Sequence, residues 1–349
     1  MNYADQEAYM RECLSLAAQA IGDTSPNPLV GAVIIKNDKI IGKGYHHKSG
    51  EPHAEVEAIN NCNESVEGAT LFCNLEPCCH TNKKTPPCAQ FLVEKKIAEV
   101  YIGMLDPNPA VAGSGVELLK SQGIKVHVGI LEDQARELNK VFIKNMASSL
   151  PYVHVKWAQS LNGVFASYPD QDRLMLSNND SLVYGHKLRK KYDAIMIGRE
   201  TLNLDNPRLN IRYVDNQSMK NPLKVIIGDY EMMNKESTLL KSERAMTVIV
   251  TSSKYEKLIH DNVLFSDAQS IKEIFQALKT KFGIQSLLIE GGMKLINSVL
   301  SENLADEISV LVSPEIKQGK VFKLEQNLNQ YKAQSKTLGN NVVFEYRKI

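Results

Sequence analysis

The stretch G-Y-H-H-K-S-G-E-P-H-A-E-V-E-A (residues 44–58) decides how the first part of this chain folds. It is matched further along by L-E-P-C-C-H-T-N-K-K-T-P-P-C (residues 75–88). Each stretch follows a strand pattern and contains a proline, Pro52 or Pro87, at a position that suits the first turn of a helix. The two stretches therefore predict two strand-to-helix connections that carry histidine, glutamate and cysteine side chains.

Three of these side chains are of types that bind zinc: His53, Cys78 and Cys88. A hydrolytic zinc site needs three protein ligands and one open position for water. Helix N-termini favour the thiolate over the thiol, because the helix dipole stabilises negative charge. A histidine, a glutamate two residues later and a Pro-Cys pair downstream form the pattern of zinc-dependent deaminases. We therefore expect one Zn²⁺ per chain at a deaminase site.

Glu55 is the expected general acid/base, which would take a proton from water and deliver it to the departing amine. Glu57 is the alternative. It is four residues after His53, and residues four apart share a face of a helix, whereas Glu55 is only two residues after His53. A closed structural zinc site is a further alternative, with Cys79 or His80 as the fourth ligand.

The composition is that of a globular enzyme with more than one domain. Its 349 residues are 43% hydrophobic and 23% charged, which allows sizeable cores. The 41 Lys and Arg balance 40 Asp and Glu without a basic run, which argues against a nucleic-acid partner. Neither a signal peptide nor an apolar run of membrane-spanning length is found, so we expect a cytoplasmic protein with no membrane partner.

All six cysteines lie within residues 13–88, and in a reducing compartment such crowding indicates metal binding or catalysis rather than disulfides. Cys13, Cys62 and Cys73 fall in helix or strand patterns, and we expect them in the core.

Strand and helix patterns alternate along the chain, which predicts an α/β protein with a mixed or parallel sheet covered on both faces. The polar residues 147–151 separate two predicted domains, 1–146 and 151–349. In the first, Asp5 is the expected N-cap of a helix over residues 5–21, and a hairpin turns at Asn37-Asp38. The other expected strands are 69–74, 100–105, 124–130, 152–157, 194–198, 224–227, 247–251, 286–289 and 307–312. The other expected helices are 52–60, 88–96, 115–121, 133–146 and one from Gly292.

Further motifs occur in a fixed order along nearly the whole chain. The first half contains S-P-N-P-L-V-G-A-V, T-P-P-C and D-P-N-P-A-V-A-G-S-G, with nine residues between Cys78 and Cys88 where two are usual in zinc deaminases. The second half contains K-W-A-Q-S-L-N-G, L-R-K-K-Y-D-A-I-M-I-G, T-L-N-L-D-N-P-R-L-N, L-L-I-E-G-G and A-D-E-I-S-V-L-V-S-P. In these motifs the chain resembles the bifunctional deaminase/reductases of riboflavin biosynthesis.

The resemblance implies a cytidine-deaminase-like three-layer domain followed by a dihydrofolate-reductase-like domain. It implies hydrolytic deamination of 2,5-diamino-6-ribosylamino-4(3H)-pyrimidinone 5′-phosphate, then reduction of the ribosyl group by NADPH to give 5-amino-6-(5-phospho-D-ribitylamino)uracil. The partner would be this small phosphorylated pyrimidine, and we expect a homo-oligomer. No G-x-G-x-x-G motif is present, which argues against a Rossmann domain for the cofactor.

The resemblance also implies site residues beyond the zinc ligands. The deaminase substrate would be bound by Asn27, His46, Lys84, Asp106 and Asn108. NADPH would be bound by Ala158, Thr201, Asp205, Gly292, Met293, Lys294 and Leu295. The sugar phosphate of the reductase substrate would be bound by Arg189, Leu209, Arg212 and Glu290.

The sequence departs from the family pattern in several places. The loop between the two cysteines is one residue longer, so that either Lys83 or Lys84 would meet the phosphate. Asn162 replaces an aspartate, Leu174 lies where a tryptophan is common, and one residue is inserted before Arg189. Three rival interpretations follow: an active deaminase with a degenerate reductase half, a tRNA or nucleoside deaminase, and a scaffold organised by zinc.

Overall fold

The chain divides into two units, Met1–Ser148 and Ser149–Ile349, each with its own large sheet. The computed structural model describes residues 2–79, 87–109, 111–168, 174–216, 220–241, 247–252, 263–265 and 270–349. No helix within these ranges combines the length and the apolar character that crossing a membrane requires.

Helices and strands alternate in the first unit. Its helices are α1 (Tyr3–Ala18), α2 (Ala54–Asn60), α3 (Cys88–Glu94), α4 (Ser114–Ser121), α5 (Glu132–Leu138) and α6 (Lys140–Ala147). Its strands are β1 (Gly31–Lys36), β2 (Lys39–Tyr45), β3 (Thr70–Leu75), β4 (Glu99–Met104) and β5 (Lys125–Val128). The sheet order is β2-β1-β3-β4-β5. β1 is antiparallel to both of its neighbours and the other pairs are parallel, so the predicted mixed sheet is confirmed.

Successive side chains along each strand point to opposite faces of this sheet, so that a core forms on each face. Leu71 and Cys73 of β3 lie in one core with Leu92 of α3, whereas Phe72 lies in the other core with Met10 of α1. Helices therefore cover both faces, which leaves the edge at which parallel strands β3 and β4 end as the place for polar side chains.

Helix α2 lies directly on the backbone of β2 because β2 has glycine where the two meet. A Cβ added at Gly42 would lie 2.2 Å from the carbonyl oxygen of Ala58, and one added at Gly44 would lie 2.4 Å from the nitrogen of Ala58. Contacts below 3.0 Å exclude any larger residue without movement of the helix. These two glycines therefore fix where α2 begins relative to the sheet.

Three sequence predictions in this unit are wrong in detail. Asn2 rather than Asp5 is the N-cap of α1; Asp5 is the third residue of the helix and completes a capping box with Asn2. Helix α2 begins at Ala54 with His53 as its N-cap, not at Pro52. The predicted helix over 133–146 is interrupted at Asn139, whose side chain accepts from the N–H of Leu29 and donates to its carbonyl.

The second unit begins with a long strand and alternates strands with helices. Its helices are α7 (Asn179–Lys191), α8 (Arg199–Asp205), α9 (Thr238–Lys241), α10 (Ile271–Phe282) and α11 (Met293–Ser301), with a 3-10 turn over Tyr230–Met232. Its strands are β6 (Tyr152–Ser160), β7 (Val164–Ala166), β8 (Ala194–Gly198), β9 (Leu223–Ile227), β10 (Thr247–Thr251), β11 (Val263–Phe265), β12 (Ser286–Glu290), β13 (Glu307–Ser313), β14 (Lys320–Val321), β15 (Tyr331–Leu338) and β16 (Asn341–Lys348).

Nine of these strands form one sheet in the order β11-β10-β9-β8-β12-β6-β13-β16-β15. The seven strands from β11 to β13 are parallel, and β16 and β15 add an antiparallel end. On one face, Val153 and Val155 pack with Phe275 of α10 and Val299 of α11. The carboxyl ends of β8, β12 and β6 meet at one edge, where ligands bind in open parallel sheets.

The sequence analysis missed the antiparallel pair β15–β16. The side chains from Lys332 to Thr337 are exposed on both faces of the sheet, so the apolar alternation that predicts a strand is absent. The strand is held by its register with β16, from Tyr331 opposite Lys348 to Leu338 opposite Asn341.

We predict that Gly44→Ala destabilises the chain by about 1–3 kcal/mol, because the added methyl group overpacks the contact between β2 and α2. Gly185→Ala, inside helix α7, is the matched control, because its Cβ would meet nothing within 4 Å. Since alanine favours a helix more than glycine does, this variant should be more stable by about 0.5–1 kcal/mol. Denaturant unfolding of the three proteins measures both changes. Equal stability of the Gly44→Ala variant and the wild type would contradict the proposed close approach.

Candidate functional site

His53, Cys78 and Cys88 come together at the end of β3, and their ligand atoms all lie within 4.8 Å of one another. His53 is the N-cap of α2, Cys78 follows β3, and Cys88 is the first residue of α3. The Nδ1 atom of His53 lies 3.2 Å from Sγ of Cys88 and 3.5 Å from Sγ of Cys78. One imidazole and two thiol groups are a donor set that suits Zn²⁺, with a fourth position left for water.

The cysteine after the first thiol ligand has a different place. Cys79 is partly buried against the core of the first unit and does not belong to the three-residue cluster. His80, the other candidate for a fourth ligand, and Lys83 and Lys84, the candidates for the phosphate contact, lie outside the described residues. Within the described part of the chain, the cluster therefore has the open arrangement of a catalytic zinc site.

Glu55 lies beside the cluster on the second residue of α2, with 3% of its surface exposed. Its carboxyl group is hydrogen-bonded to Cys88. Burial raises the pKa of Glu55 and the nearby charge of Cys78 raises it further, while His53 acts in the opposite direction. A carboxyl group with a raised pKa can both accept and release a proton near neutral pH.

Glu57, the alternative acid/base, is engaged elsewhere. One carboxylate oxygen accepts from the N–H of Tyr45 at 2.7 Å, and the other lies 2.6 Å from Nε2 of His47. These contacts tie α2 to the end of β2, so Glu57 has a structural place and Glu55 is the carboxylate at the cluster.

Asn27 and His46 lie next to each other and beside the metal ligands. The ring of His46 meets that of His53 edge to face, with centroids 5.6 Å apart. Nδ1 of His46 lies 3.0 Å from the carbonyl of Pro52, so Nδ1 carries the proton and Nε2 accepts from Nδ2 of Asn27, also at 3.0 Å. Burial lowers the pKa of His46, which favours this neutral form. The amide oxygen of Asn27 is thereby turned away from His46.

Asp106 and Asn108 lie in the loop that follows β4. The carboxylate of Asp106 accepts from the N–H of Asn108 at 2.9 Å, so the two residues are held as one turn. Both are half-buried.

In the second unit, Arg189 and Glu290 form a half-buried bidentate ion pair. Nε and Nη2 of Arg189 donate to the two carboxylate oxygens of Glu290 at 2.6 and 2.7 Å, and Nη1 donates to the carbonyl of Asn210. Burial alone would raise the pKa of Glu290, but the charge and hydrogen bonds of Arg189, with Lys156 and His186, hold it at about 2.

Lys156 and His186 are site residues that the sequence analysis missed. Lys156 lies opposite Glu290 in the register of β6 and β12, and burial lowers its pKa while Glu290 partly restores it. Nδ1 of His186 accepts from the N–H of Arg212 at 3.0 Å. A lysine on a strand of otherwise apolar character, in K-W-A-Q-S, was the signal that could have found the first; no comparable signal exists for His186.

The other predicted residues for the sugar phosphate lie near this pair. The guanidinium of Arg212 donates to the side-chain oxygen of Asn210, and the backbone carbonyl of Asn210 accepts from Arg189. Leu209 is buried and has a left-handed φ of 47°. The structure thus brings Arg189, Arg212 and Glu290 into one cluster.

The residues predicted to bind the cofactor lie in two places, around the turn before α11 and near the end of β6. Thr201 lies against the turn of Gly291 and Gly292, which have φ of 84° and 87°, and a Cβ on either glycine would meet Thr201 at 3.5–3.6 Å. Helix α11 starts after Gly292 without a side-chain cap, so its first N–H groups suit a phosphate group of NADPH. Ala158 lies near the end of β6, opposite Leu311 of β13.

Three predicted contacts to the cofactor are less direct. Asp205 is exposed at the last residue of α8. The ammonium group of Lys294 lies 3.5 Å from Glu200, and the side chain of Leu295 is buried in the core. From Met293 to Leu295, the backbone rather than the side chains therefore suits phosphate binding.

Asn162 can replace the usual aspartate because its amide both accepts and donates hydrogen bonds. Its oxygen accepts from Ser160 and from the N–H of Lys317, and its nitrogen donates to the carbonyl of Lys317 at 2.9 Å. A carboxylate could not make the last of these bonds.

We predict that part of the stability of the chain is lost between pH 6.5 and 4 through His186. Burial and the charges of Arg189 and Arg212 lower its pKa from 6.5 to about 4, so over this range the unfolded chain binds a proton that the folded chain does not. As the pH is lowered over this range, the free energy of unfolding should therefore fall less steeply for His186→Asn than for the wild type. The asparagine keeps an acceptor for the N–H of Arg212. An identical slope in the two proteins would contradict the prediction.

Comparisons with known proteins agree with both halves of this description. Residues 151–344 match the family model of the RibD C-terminal domain, and residues 3–104 match the cytidine and deoxycytidylate deaminase zinc-binding region. Riboflavin biosynthesis protein RibD of Aquifex aeolicus is 36% identical over 97% of this chain and 98% of its own. RibD of Bacillus amyloliquefaciens is also 36% identical, over 88% of this chain and 84% of its own.

Solved structures of similar proteins superpose over the whole chain. Acinetobacter baumannii RibD, form 1, has a TM-score of 0.87 and 30% identity and covers 100% of both chains. A diaminohydroxyphosphoribosylaminopyrimidine deaminase/5-amino-6-(5-phosphoribosylamino)uracil reductase from Thermotoga maritima has a TM-score of 0.89 and 30% identity, with 99% of both chains covered. The predicted fold class, a cytidine-deaminase-like domain followed by a dihydrofolate-reductase-like domain, is confirmed. The chain belongs to the RibD family of riboflavin biosynthesis proteins.

Proposed function

We propose that this chain carries out two consecutive reactions of riboflavin biosynthesis. The first is hydrolytic deamination of 2,5-diamino-6-ribosylamino-4(3H)-pyrimidinone 5′-phosphate, and the second is reduction of the ribosyl side chain by NADPH. The observation that carries the first reaction is the cluster of His53, Cys78 and Cys88 beside the buried carboxyl group of Glu55. The first unit would hold the deaminase site and the second the reductase site.

In the deamination, water replaces the 2-amino group of the pyrimidine and ammonia leaves. His53, Cys78 and Cys88 would hold the zinc ion, which would supply Lewis-acid activation and lower the pKa of water from 15.7 towards about 7. Glu55 takes the proton of the attacking water and gives it to the departing amine. Glu55 is buried and hydrogen-bonded to Cys88, so its carboxyl group is placed to hold that proton between the two transfers.

Substrate positioning in the first unit would come from two sides of the cluster. The neutral ring of His46 fixes the amide of Asn27, whose oxygen can then accept from an N–H of the pyrimidine. The turn of Asp106 and Asn108 offers further polar groups. Lys84, an ammonium group in the long loop before Cys88, would meet the 5′-phosphate dianion.

In the second unit, the task of the protein is to place the cofactor against the sugar. The cofactor, when bound, would supply the hydride that reduces the imine carbon of the opened ribosylamine. The uncapped start of α11 and Thr201 would hold cofactor phosphate, with Ala158 and Asp205 as further contacts. Arg189 and Arg212 would bind the sugar phosphate, with Glu290 holding the guanidinium of Arg189 in place and Leu209 beside them.

We also propose that the protein works in the cytoplasm as a homo-oligomer. Its ligands would be small molecules, without a nucleic-acid or membrane partner. Sedimentation of the purified protein tests the oligomeric state, and a monomer at micromolar concentration would refute it.

A coupled assay on the diaminopyrimidine phosphate tests the two reactions separately, by ammonia release and by loss of NADPH absorbance. We expect both signals. Ammonia release without NADPH consumption would refute the reductase half and support a degenerate second unit. If zinc is bound and neither signal appears, a zinc-organised scaffold is the better interpretation.

We predict that Glu55→Gln lowers ammonia release by about 100- to 10,000-fold while zinc stays bound, because the general acid/base is lost and the metal ligands are intact. Glu57→Gln is the matched control on the same helix and should keep ammonia release, because its side chain contacts Tyr45 and His47 instead. Zinc content and ammonia are measured on the same preparations. Full activity of Glu55→Gln would remove Glu55 from the mechanism.

We predict that Cys88→Ser loses zinc and ammonia release but still reduces the deaminated intermediate with NADPH. One thiolate ligand is removed from the first unit, whereas the proposed reductase residues lie in the second. Removal of zinc from the wild type by a chelator should give the same pattern. Parallel loss of both activities would show that the two sites are not independent.

A further inference from the structure

The carboxylate of Glu76 is buried, with 3% of its surface exposed, and no step of the proposed reactions uses it. Its two oxygens accept four backbone N–H groups from one short segment. Oε2 accepts from Asp106 and Gly113, both at 3.0 Å. Oε1 accepts from Gly115 at 2.8 Å and Val116 at 3.2 Å. Four donors match the lone-pair positions of an ionised carboxylate, which has no proton of its own to donate.

These bonds close the loop between β4 and α4 at its base. Oε2 binds both ends of the loop, Asp106 and Gly113, while Oε1 binds N–H groups in the first turn of α4 that have no partner within the helix. Because the carboxylate of Asp106 accepts from the N–H of Asn108, the position of Asp106 is passed on to Asn108. One carboxylate thus sets the place of both predicted substrate contacts in this loop.

The same residue is tied to the metal ligands through the backbone. Only Pro77 separates Glu76 from Cys78, and the N–H of Glu76 donates to the carbonyl of Met104 at the end of β4. The carbonyl of Cys78 accepts from Ala89 of α3. Glu76 is therefore two residues from a metal ligand along the chain, while its carboxylate binds the backbone of the loop that carries Asp106 and Asn108.

The glycines of D-P-N-P-A-V-A-G-S-G have a geometric reason in this arrangement. Gly113 has φ of 82°, which favours glycine. A Cβ on Gly115 would lie 2.2 Å from the carbonyl oxygen of Pro77 and 3.1 Å from Oε1 of Glu76. Any larger residue at position 115 would push α4 away from the segment that carries the first cysteine ligand.

We propose that Glu76 is a positioning residue of the deaminase: it fixes Asp106 and Asn108 at a set distance from Cys78. This inference rests on the proposed deamination, since it gives Asp106 and Asn108 their purpose. Glu76 touches neither the substrate nor the reacting atoms in this proposal. Its effect is on substrate binding, through the loop.

The test is Glu76→Gln in the full-length zinc-loaded protein. The amide keeps one acceptor oxygen and turns an NH₂ group towards two N–H donors, so the loop should detach. We expect KM for the diaminopyrimidine phosphate to rise by about tenfold or more, with kcat changed much less and zinc content unchanged. Gly115→Ala keeps the carboxylate but displaces α4, because the added Cβ would lie too close to Pro77 and to Oε1 of Glu76. It should raise KM similarly, and the double variant should not add the two effects.

Leu119→Ala is the matched control, because it destabilises α4 through the core and leaves the four hydrogen bonds in place. It should lower Tm without raising KM. An equal rise of KM in this variant would mean that the loop depends only on the general stability of α4, which would overturn the proposal. So would an unchanged KM in Glu76→Gln, or loss of zinc together with kcat.

Hydrogen exchange gives a readout that does not need activity. The amides of Asp106, Gly113 and Gly115 should exchange faster in Glu76→Gln and stay protected in Leu119→Ala. If the wild type released no ammonia from this substrate, the proposed function would fail, but the exchange experiment would still test whether Glu76 holds the loop between β4 and α4. Unchanged protection in Glu76→Gln would show that Glu76 does not hold this loop.

Discussion

Backbone contact between the end of β3 and the first turn of α3 is the constraint on which the metal site depends. The N–H of Cys88 points at Sγ of Cys78 at 3.4 Å, and the N–H of Ala89 donates to the carbonyl of Cys78 at 3.0 Å. Since these contacts fix the second thiol relative to the first, the number of residues between them does not set the ligand geometry. Nine intervening residues can therefore serve where two are usual. The third ligand, His53, is placed independently by the contact of α2 with Gly42 and Gly44.

The sequence predicted the elements that bury an apolar face and the residues whose chemistry is specific to a metal. Pattern and spacing predicted the cluster of His53, Cys78 and Cys88, strands β1 to β5, and the central strands β6, β8, β9, β10, β12 and β13. Three kinds of feature could not be predicted this way. Strand β15 is polar on both faces and exists through pairing alone. The break at Asn139 depends on a partner, Leu29, that is 110 residues away in sequence. The hydrogen bonds of Glu76 to residues 106–116 and the position of Lys156 opposite Glu290 appear only in the folded chain, because no local pattern records a contact between distant segments.

The two units use the same property of parallel strands for different chemistry. In the first, β3 and β4 end side by side, so the segments that carry Cys78 and Asp106 begin next to each other. In the second, β12 and β6 pair so that Glu290 lies opposite Lys156, and β8 and β12 are followed by helices that start near each other. Helix starts attract negative charge through their free N–H groups. In the first unit the group at a helix start is the thiol of Cys88, which would bind zinc as a thiolate, and in the second it would be phosphate of the cofactor.

Two buried glutamates show how neighbours decide what a carboxyl group can do. Glu55 and Glu290 both lose hydration on folding, and burial acts on the pKa of both in the same direction. Glu55 faces thiol groups, so burial prevails and its pKa is raised, as a residue that must hold a proton requires. Glu290 faces the fork of Arg189 with Lys156 nearby, so its pKa falls to about 2 and it stays ionised. An ionised Glu290 cannot shuttle protons near neutral pH, but it can hold a guanidinium in one orientation. The pair suits the placing of a substrate rather than acid/base chemistry, and in the proposed function it would hold Arg189 against the sugar phosphate.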